Sequence, residues 1–219
     1  MSRARGDTGH WEAHPRYKNA GAPSARAFAE PKAACIARAL ELTGEETILD
    51  VGAGTGHLTA AFLARGHDVT SVDLSRAMLA RNPARARIRA DALRLPFPDD
   101  SFDLAVEASV LHHVADPVQV LKEMARVSRT GVAAIEPNRN HPPMFLFSLL
   151  VRAEWPALRF TKKHLKTLAR EALLEEVLLE TRGWVYQNKT PAALAGWLGR
   201  REKKSSLAAY VVGAFKERQ

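Results

Sequence analysis

The chain reads as an α/β protein with a doubly wound, mostly parallel sheet. Three observations predict this. Short apolar runs alternate with helical patterns, the first run stops at a cluster of glycines, and later runs end in acidic residues.

The elements follow in order. Residues Met1 to Ala22 are polar, with Gly, Pro and His, and read as an N-terminal arm ahead of a domain spanning 23–219. From Ser24 to Leu42, Ala27, Phe28, Ala33, Ile36, Ala37 and Leu40 recur at helical spacing, with Ser24 placed to cap. Thr47 to Val51 is a buried strand, Leu58 to Arg65 a helix closed by Gly66, and Asp68 to Val72 a second strand. Ser75 caps a short helix to Arg81. Strands at Arg87 to Ala90 and Phe102 to Glu107 flank the turn Pro98-Asp99-Asp100-Ser101. Asp116 and Pro117 open a helix to Ser128, by the preference for a capping acid and a first-turn proline. A fifth strand runs from Gly131 to Glu136 and a helix from Thr161 to Ala172. Two last strands, Glu175 to Gln187 and Leu207 to Phe215, enclose a short helix from Ala192 to Arg200.

Composition bounds the class. At 219 residues a chain buries roughly 70% of its unfolded surface and needs no staple. With 46% hydrophobic and 26% charged residues it is neither a disordered chain, nor collagen-like, nor a disulfide scaffold. The single Cys35 has no partner for an internal bridge and reads as a small buried hydrophobe in a reducing compartment. No apolar leader follows Met1, and the most apolar stretch, Met144 to Val151, is far short of the ~20 residues of a membrane span. The expectation is a soluble, cytoplasmic protein. The net charge of +8 suits a nucleic acid, an anionic surface or an acidic substrate, and equally a merely basic surface.

Asp50-Val51-Gly52-Ala53-Gly54-Thr55-Gly56 lies between a strand and a helix. Glycines there permit tight backbone geometry and close approach of a ligand, and the helix start favours a carboxylate or other anion. The spacing is G-x-G-x-G. His57 stands where a dinucleotide fingerprint wants its third glycine, which argues against a nicotinamide dehydrogenase. Asp73 ends the second strand, where a carboxylate accepts both hydroxyls of a ribose; Leu74 follows it. Asp91, beside Ala92, follows the third strand and suits an adenine amino group.

These residues resemble a known family. Ile48 to Gly56 resembles motif I of class I S-adenosylmethionine-dependent methyltransferases, and Ser71-Val72-Asp73-Leu74-Ser75 their ribose-binding strand end. Ala90 to Phe97, Phe102-Asp103-Leu104 and Val110-Leu111-His112-His113-Val114 are similar to the type 11 subgroup, which includes quinone-biosynthesis enzymes. The resemblance covers Thr47 to Glu136. It implies a Rossmann-like, seven-stranded, three-layer sheet with an antiparallel last strand. It also implies S-adenosylmethionine as cofactor, with Asp50, Gly52, Ala53, Gly54, Gly56, Asp73, Leu74, Asp91, Ala92 and Glu107 around it.

For the acceptor the residues say less. Methyl transfer is a direct displacement, so the protein mainly positions the acceptor and excludes water, with a base where an acidic proton must leave. His112 and His113 follow the fourth strand and are the candidate bases; Glu107 and Glu136 are rivals at strand ends, against plain structural roles for all four. Tyr17, in the arm with Trp11 and His14, is a candidate lid residue. No metal is expected. The place after the fourth strand reads Glu107-Ala108-Ser109-Val110, not the Asp/Asn-Pro-Pro-aromatic pattern of nucleic-acid amino-methyltransferases. Basic residues cluster at 76–94, 152–166 and 200–204 without interleaved aromatics, which argues against base stacking. The reading is methyl transfer to a small molecule. Met144 to Val151 adds an apolar or amphipathic acceptor, with peripheral membrane contact, core burial or a dimer interface as other uses of that segment. RNA methylation and a non-catalytic cofactor-binding or partner-binding module are the alternatives.

Overall fold

In the computed structural model, residues 17–200 and 202–218 are described. Most of the arm at 1–22, with Trp11 and His14, lies outside them.

Seven strands form one sheet in the order β3-β2-β1-β4-β5-β7-β6. They are β1 (Thr47–Val51), β2 (Asp68–Asp73), β3 (Ala86–Arg89), β4 (Phe102–Ala108), β5 (Ser128–Pro137), β6 (Leu174–Arg182) and β7 (Tyr210–Glu217). The first five pair in parallel; β7 is antiparallel to both β5 and β6. The order reverses between β1 and β4, and ligands of such sheets bind at the carboxyl ends beside that reversal.

The helices are α1 (Pro23–Ala39), α2 (His57–Leu63), α3 (Arg76–Leu79), α4 (Pro117–Arg126), α5 (Pro142–Leu150), α6 (Lys162–Glu171) and α7 (Ala192–Gly199), with 3-10 turns at Leu111–His113 and Arg152–Arg159. Period-two alternation in the strands sends neighbouring side chains into two cores. Ile48, Leu104, Val106 and Ile135 pack with Phe28, Ile36 and Phe62 of α1 and α2. Leu49, Ala105 and Val132 pack on the other face with Leu121, Met124, Leu165 and Leu168 of α4 and α6. The central strands are buried on both faces, which is why they read as unbroken apolar runs. Each fully buried Leu, Ile or Phe contributes roughly 1.5–3 kcal/mol.

Two local readings change. Ser24 does not cap α1. Pro23 takes the first turn and Ala22 the cap position, while the buried Ser24 hydroxyl donates to the Gln187 carbonyl at 2.8 Å. The penultimate strand ends at Arg182 instead of Gln187, because Gly183 takes a φ of 87° and turns the chain away. Asp116 and Ser75 cap their helices as expected. Cys35 is buried, its thiol 3.4 Å from a Glu180 carboxylate oxygen. Among the described residues, no helix is long and apolar enough to cross a membrane.

Candidate functional site

A cleft of about 1100 Å3 opens at the carboxyl ends of β1, β2 and β4. At one end it is lined by Asp50, Gly52, Ala53, Gly54, Asp73, Leu74, Asp91 and Ala92. The loop has its shape because Gly52, Gly54 and Gly56 all take positive φ, at 64°, 52° and 83°. A Cβ on Gly52 would stand 2.3 Å from the Val110 side chain, and one on Gly56 2.4 Å from Pro83; at Gly54 it would meet nothing within 4 Å. Gly52 and Gly56 are therefore fixed by packing inside the protein, and Gly54 borders open space. Gly56 itself does not line the cleft and serves as the cap position of α2.

Asp73 is integral to this loop. Its Oδ2 accepts from the Gly54 N–H at 2.8 Å and its Oδ1 from the Ser75 N–H at 2.7 Å. Each oxygen keeps a lone pair for a further donor. Burial raises its pKa, against the lowering effect of those backbone bonds. Asp50 is buried beneath the loop, and its Oδ2 accepts from the Thr59 hydroxyl at 2.6 Å. Burial lifts its carboxyl to about 7, against the Thr59 bonds and helped by the charge of Asp73. Asp91 is exposed at the cleft edge, with Oδ1 accepting from Leu93 N–H at 3.0 Å. An open backbone position over Gly54, two acids with spare lone pairs and room of this size fit a nucleoside carrying an amino-acid tail.

The other end of the cleft is lined by Met144, Phe147 and Val151 of α5 and its C-cap, by Pro156, by Tyr186 and Tyr210, and by His112, His113 and Glu154. His112 is buried. Its Nδ1 lies 2.5 Å from Glu136 Oε2 and its Nε2 3.5 Å from Glu154 Oε2. Burial pushes its ring down, but the two carboxylates outweigh that and raise it to about 9. Its Nδ1 thus faces Glu136 and its Nε2 faces Glu154. Glu154 is held low by His112, which outweighs its own burial. His113 lies beside His112, ring centroids 3.9 Å apart, half-buried on the cleft wall. Among the described residues, His112, His113 and Glu154 also place three potential metal-ligand atoms within 4.8 Å of one another.

Glu107 and Glu136 lie below the cleft floor, fully buried. Neither lines the cleft, and the structure turns the Glu107 carboxylate inward. Glu107 accepts from Val110 N–H at 2.9 Å and Ile135 N–H at 3.2 Å, and shares a hydrogen bond with Glu136. Burial and then the Glu136 charge raise Glu107 well above its ordinary value. A polar chain thus runs Glu107–Glu136–His112–Glu154 from the sheet to the cleft.

Tyr17 lines the cleft, and burial, then the charge of Glu154, pushes its hydroxyl up to about 12. The adjoining Lys18 carbonyl accepts from Thr55 Oγ1 at 2.9 Å and lies 3.0 Å from His57 Nε2. His57 Nδ1 is in turn 3.1 Å from Gln187 Oε1. Sequence reasoning missed Glu154, Lys18 and Gln187, which carry no local motif. It noticed His57 only as a departure from a glycine fingerprint, and that departure is its signal.

The chain is similar to known proteins. Residues 49–135 match the family model described as "Methyltransferase domain". A demethylmenaquinone methyltransferase of Beutenbergia cavernae is 39% identical over 109 residues, 48% of this chain and 45% of that protein. A demethylmenaquinone methyltransferase of Clavibacter sepedonicus is 32% identical over 173 residues, 74% of this chain and 66% of that protein. The match thus spans about half the length of the first of these relatives. Among solved structures, a SAM-dependent methyltransferase from Thermotoga maritima superposes with a TM-score of 0.65 at 20% identity, over 89% of this chain and 92% of its own. The 1,6-didemethyltoxoflavin-N1-methyltransferase of Burkholderia thailandensis, solved with S-adenosylhomocysteine, superposes with a TM-score of 0.59 at 23% identity, over 89% and 80%.

Proposed function

We propose that this chain, a class I methyltransferase of type 11 by its matched segment and its fold, moves a methyl group from S-adenosylmethionine to a small apolar or amphipathic molecule. One observation carries the reading. The glycine loop with Asp50 and Asp73 opens into the same cleft as a chamber lined by Met144, Phe147, Val151 and Tyr210, with His112, Glu154, Arg159 and Lys189 as its charged groups.

When bound, S-adenosylmethionine, the methyl donor of this domain class, would supply a methyl on a positively charged sulfur, with neutral S-adenosylhomocysteine as the leaving group. The chain's part is to bind, orient and exclude water. Asp73 and Asp91 would hold the nucleoside through hydroxyl and amino donors, and Asp50 would face the ammonium group of the tail. Met144, Phe147 and Val151 keep the acceptor end dry, which strengthens every charge interaction there. His112, clamped between Glu136 and Glu154, orients Glu154 on the cleft wall beside the acceptor, so its role is positioning.

The chamber suits an aromatic or quinone-like ring, in keeping with the names of the two relatives. RNA fits less well, because the basic clusters at 76–94, 152–166 and 200–204 carry no interleaved aromatics on which bases could stack. The test is turnover with S-adenosylmethionine and a panel of hydroquinones, phenols, polar metabolites and RNA, reading S-adenosylhomocysteine and methylated product by mass spectrometry. Product from hydroquinones or phenols is expected. Product from RNA alone would replace this reading, and cofactor binding with no product from any class would leave a binding module.

A further inference from the structure

We propose that α5 and the 3-10 segment behind it form a seat for an anionic lipid surface. α5 buries only Met144 and Ser148. Phe145, Leu146, Leu149 and Leu150, spaced to share one side of the helix, are 45–74% exposed. Trp155 continues the patch: it is equally exposed, and its indole N–H donates to the Leu149 carbonyl at 3.2 Å. A contiguous run of large apolar side chains left in water marks a face that something else covers.

The charge around the patch says what covers it. Residues 139–170 hold seven arginines and lysines and one acid, Glu154. That acid is turned inward to His112. The Arg152 guanidinium lies 5.8 Å from the centre of the Trp155 ring, and Arg159, Lys162 and Lys163 are exposed beyond it. Apolar side chains ringed by cations and an interfacial tryptophan match the headgroup boundary of an anionic bilayer. A second copy does not match. A two-fold contact would press the same cations against each other while removing them from water.

The seat also places the cleft. Met144, Phe147 and Val151 line it from the other side of α5, so one helix separates the acceptor chamber from the proposed membrane face. The corollary that an apolar acceptor enters from the bilayer rests on the methyltransferase reading; the seat itself does not.

The test is sedimentation of the full chain with vesicles of phosphatidylcholine, with and without phosphatidylglycerol. S-adenosylhomocysteine binding, thermal unfolding and solution mass are measured on the same samples. Expected are partitioning onto phosphatidylglycerol vesicles only, its loss on raising salt, and about a tenfold drop in Leu149→Ser/Leu150→Ser and in Arg152→Glu/Lys163→Glu. Thermal unfolding and S-adenosylhomocysteine binding should persist in both variants. Absence of partitioning, or equal partitioning onto both vesicle types, overturns the proposal. So does a dimeric mass that becomes monomeric in the leucine variant. A failure of S-adenosylhomocysteine binding in the unaltered chain would count against the methyltransferase reading alone.

Discussion

The Asp73 carboxylate accepts from the Gly54 N–H at 2.8 Å, so the acid that ends β2 also fixes the loop that follows β1. A strand-end acid of this kind is read from sequence as a ligand contact alone. Here it also holds the loop, so on the proposed reading its removal is expected to have two effects. Asp73→Ala is expected to weaken S-adenosylhomocysteine binding by about 1.5–3 kcal/mol, the loss of charge-assisted hydrogen bonds. It should also lower stability by about 1–3 kcal/mol, because two backbone donors lose their acceptor. Calorimetric titration and urea unfolding separate the two. Unchanged affinity with reduced stability would leave Asp73 a purely structural residue.

The three loop glycines separate structure from binding. In Gly54→Ala the new methyl group meets no protein atom, and the strain of its positive φ costs about 1–2 kcal/mol. On the proposed reading the methyl group stands where the ligand would back onto the loop, so binding should fall by at least tenfold. Gly56→Ala drives a Cβ to 2.4 Å from Pro83 and should unfold at lower denaturant than Gly54→Ala. Gly54→Ala that binds S-adenosylhomocysteine as well as the unaltered chain would move the ligand off this loop.

The first five strands and the glycine loop were legible because each has a local signature: a short apolar run, a punctuating turn, an acid at the strand end. The direction of Glu107 was not legible, because a strand-end position does not say which way a side chain turns. Glu107 turns under the floor onto the Val110 and Ile135 amides. Ser24 was misread because Pro23 already starts the helix and the buried hydroxyl found Gln187, 163 residues away. Glu154 has no motif, and only the packing of its 3-10 turn against Leu111–His113 brings it to His112. The apolar character of 144–151 was legible, but its split into a cleft side and an exposed side was not.

Burial holds Asp50 near 7, so at pH 6 most of the ligand-free protein carries its proton. A bound ammonium group favours the carboxylate, and binding should then expel that proton. Affinity for S-adenosylhomocysteine is expected to rise as pH increases from about 6 and to level off above about 7.5. Titration in buffers of different ionisation enthalpy should show close to one proton released at pH 6 and few at pH 8. Asp50→Asn should flatten both dependences. A pH-independent affinity in the unaltered chain would remove Asp50 from the ligand.

Lys32 is fully buried in α1, its ammonium 3.0 Å from Glu202 and 2.9 Å from the Phe28 carbonyl. Burial lowers its pKa, with Glu202 opposing. Removing one partner strands the other charge. Lys32→Ala should cost about 3–5 kcal/mol in urea unfolding, while Lys32→Met with Glu202→Leu should cost far less. Equal losses in the two would show that side-chain volume, and not the stranded charge, sets the cost.

His112 sits between two carboxylates, Glu136 at 2.5 Å and Glu154 at 3.5 Å, and this decides which limb of a pH profile it controls. Its ring is raised from the usual 6.5 to about 9 despite burial. The interaction therefore stabilises the fold fully below about 6.5, and the benefit is lost as pH rises through about 9. A neutral histidine base would give turnover an acid limb near 6.5. A histidine cation gives an alkaline limb near 9 instead, with activity level through neutrality. Nuclear magnetic resonance of the imidazole should report the same midpoint. Glu154→Gln removes one of the two carboxylates and should bring both the resonance midpoint and the alkaline limb down together. A profile that falls below pH 7 and stays level to pH 10 would give a base role to this histidine pair and end the positioning one.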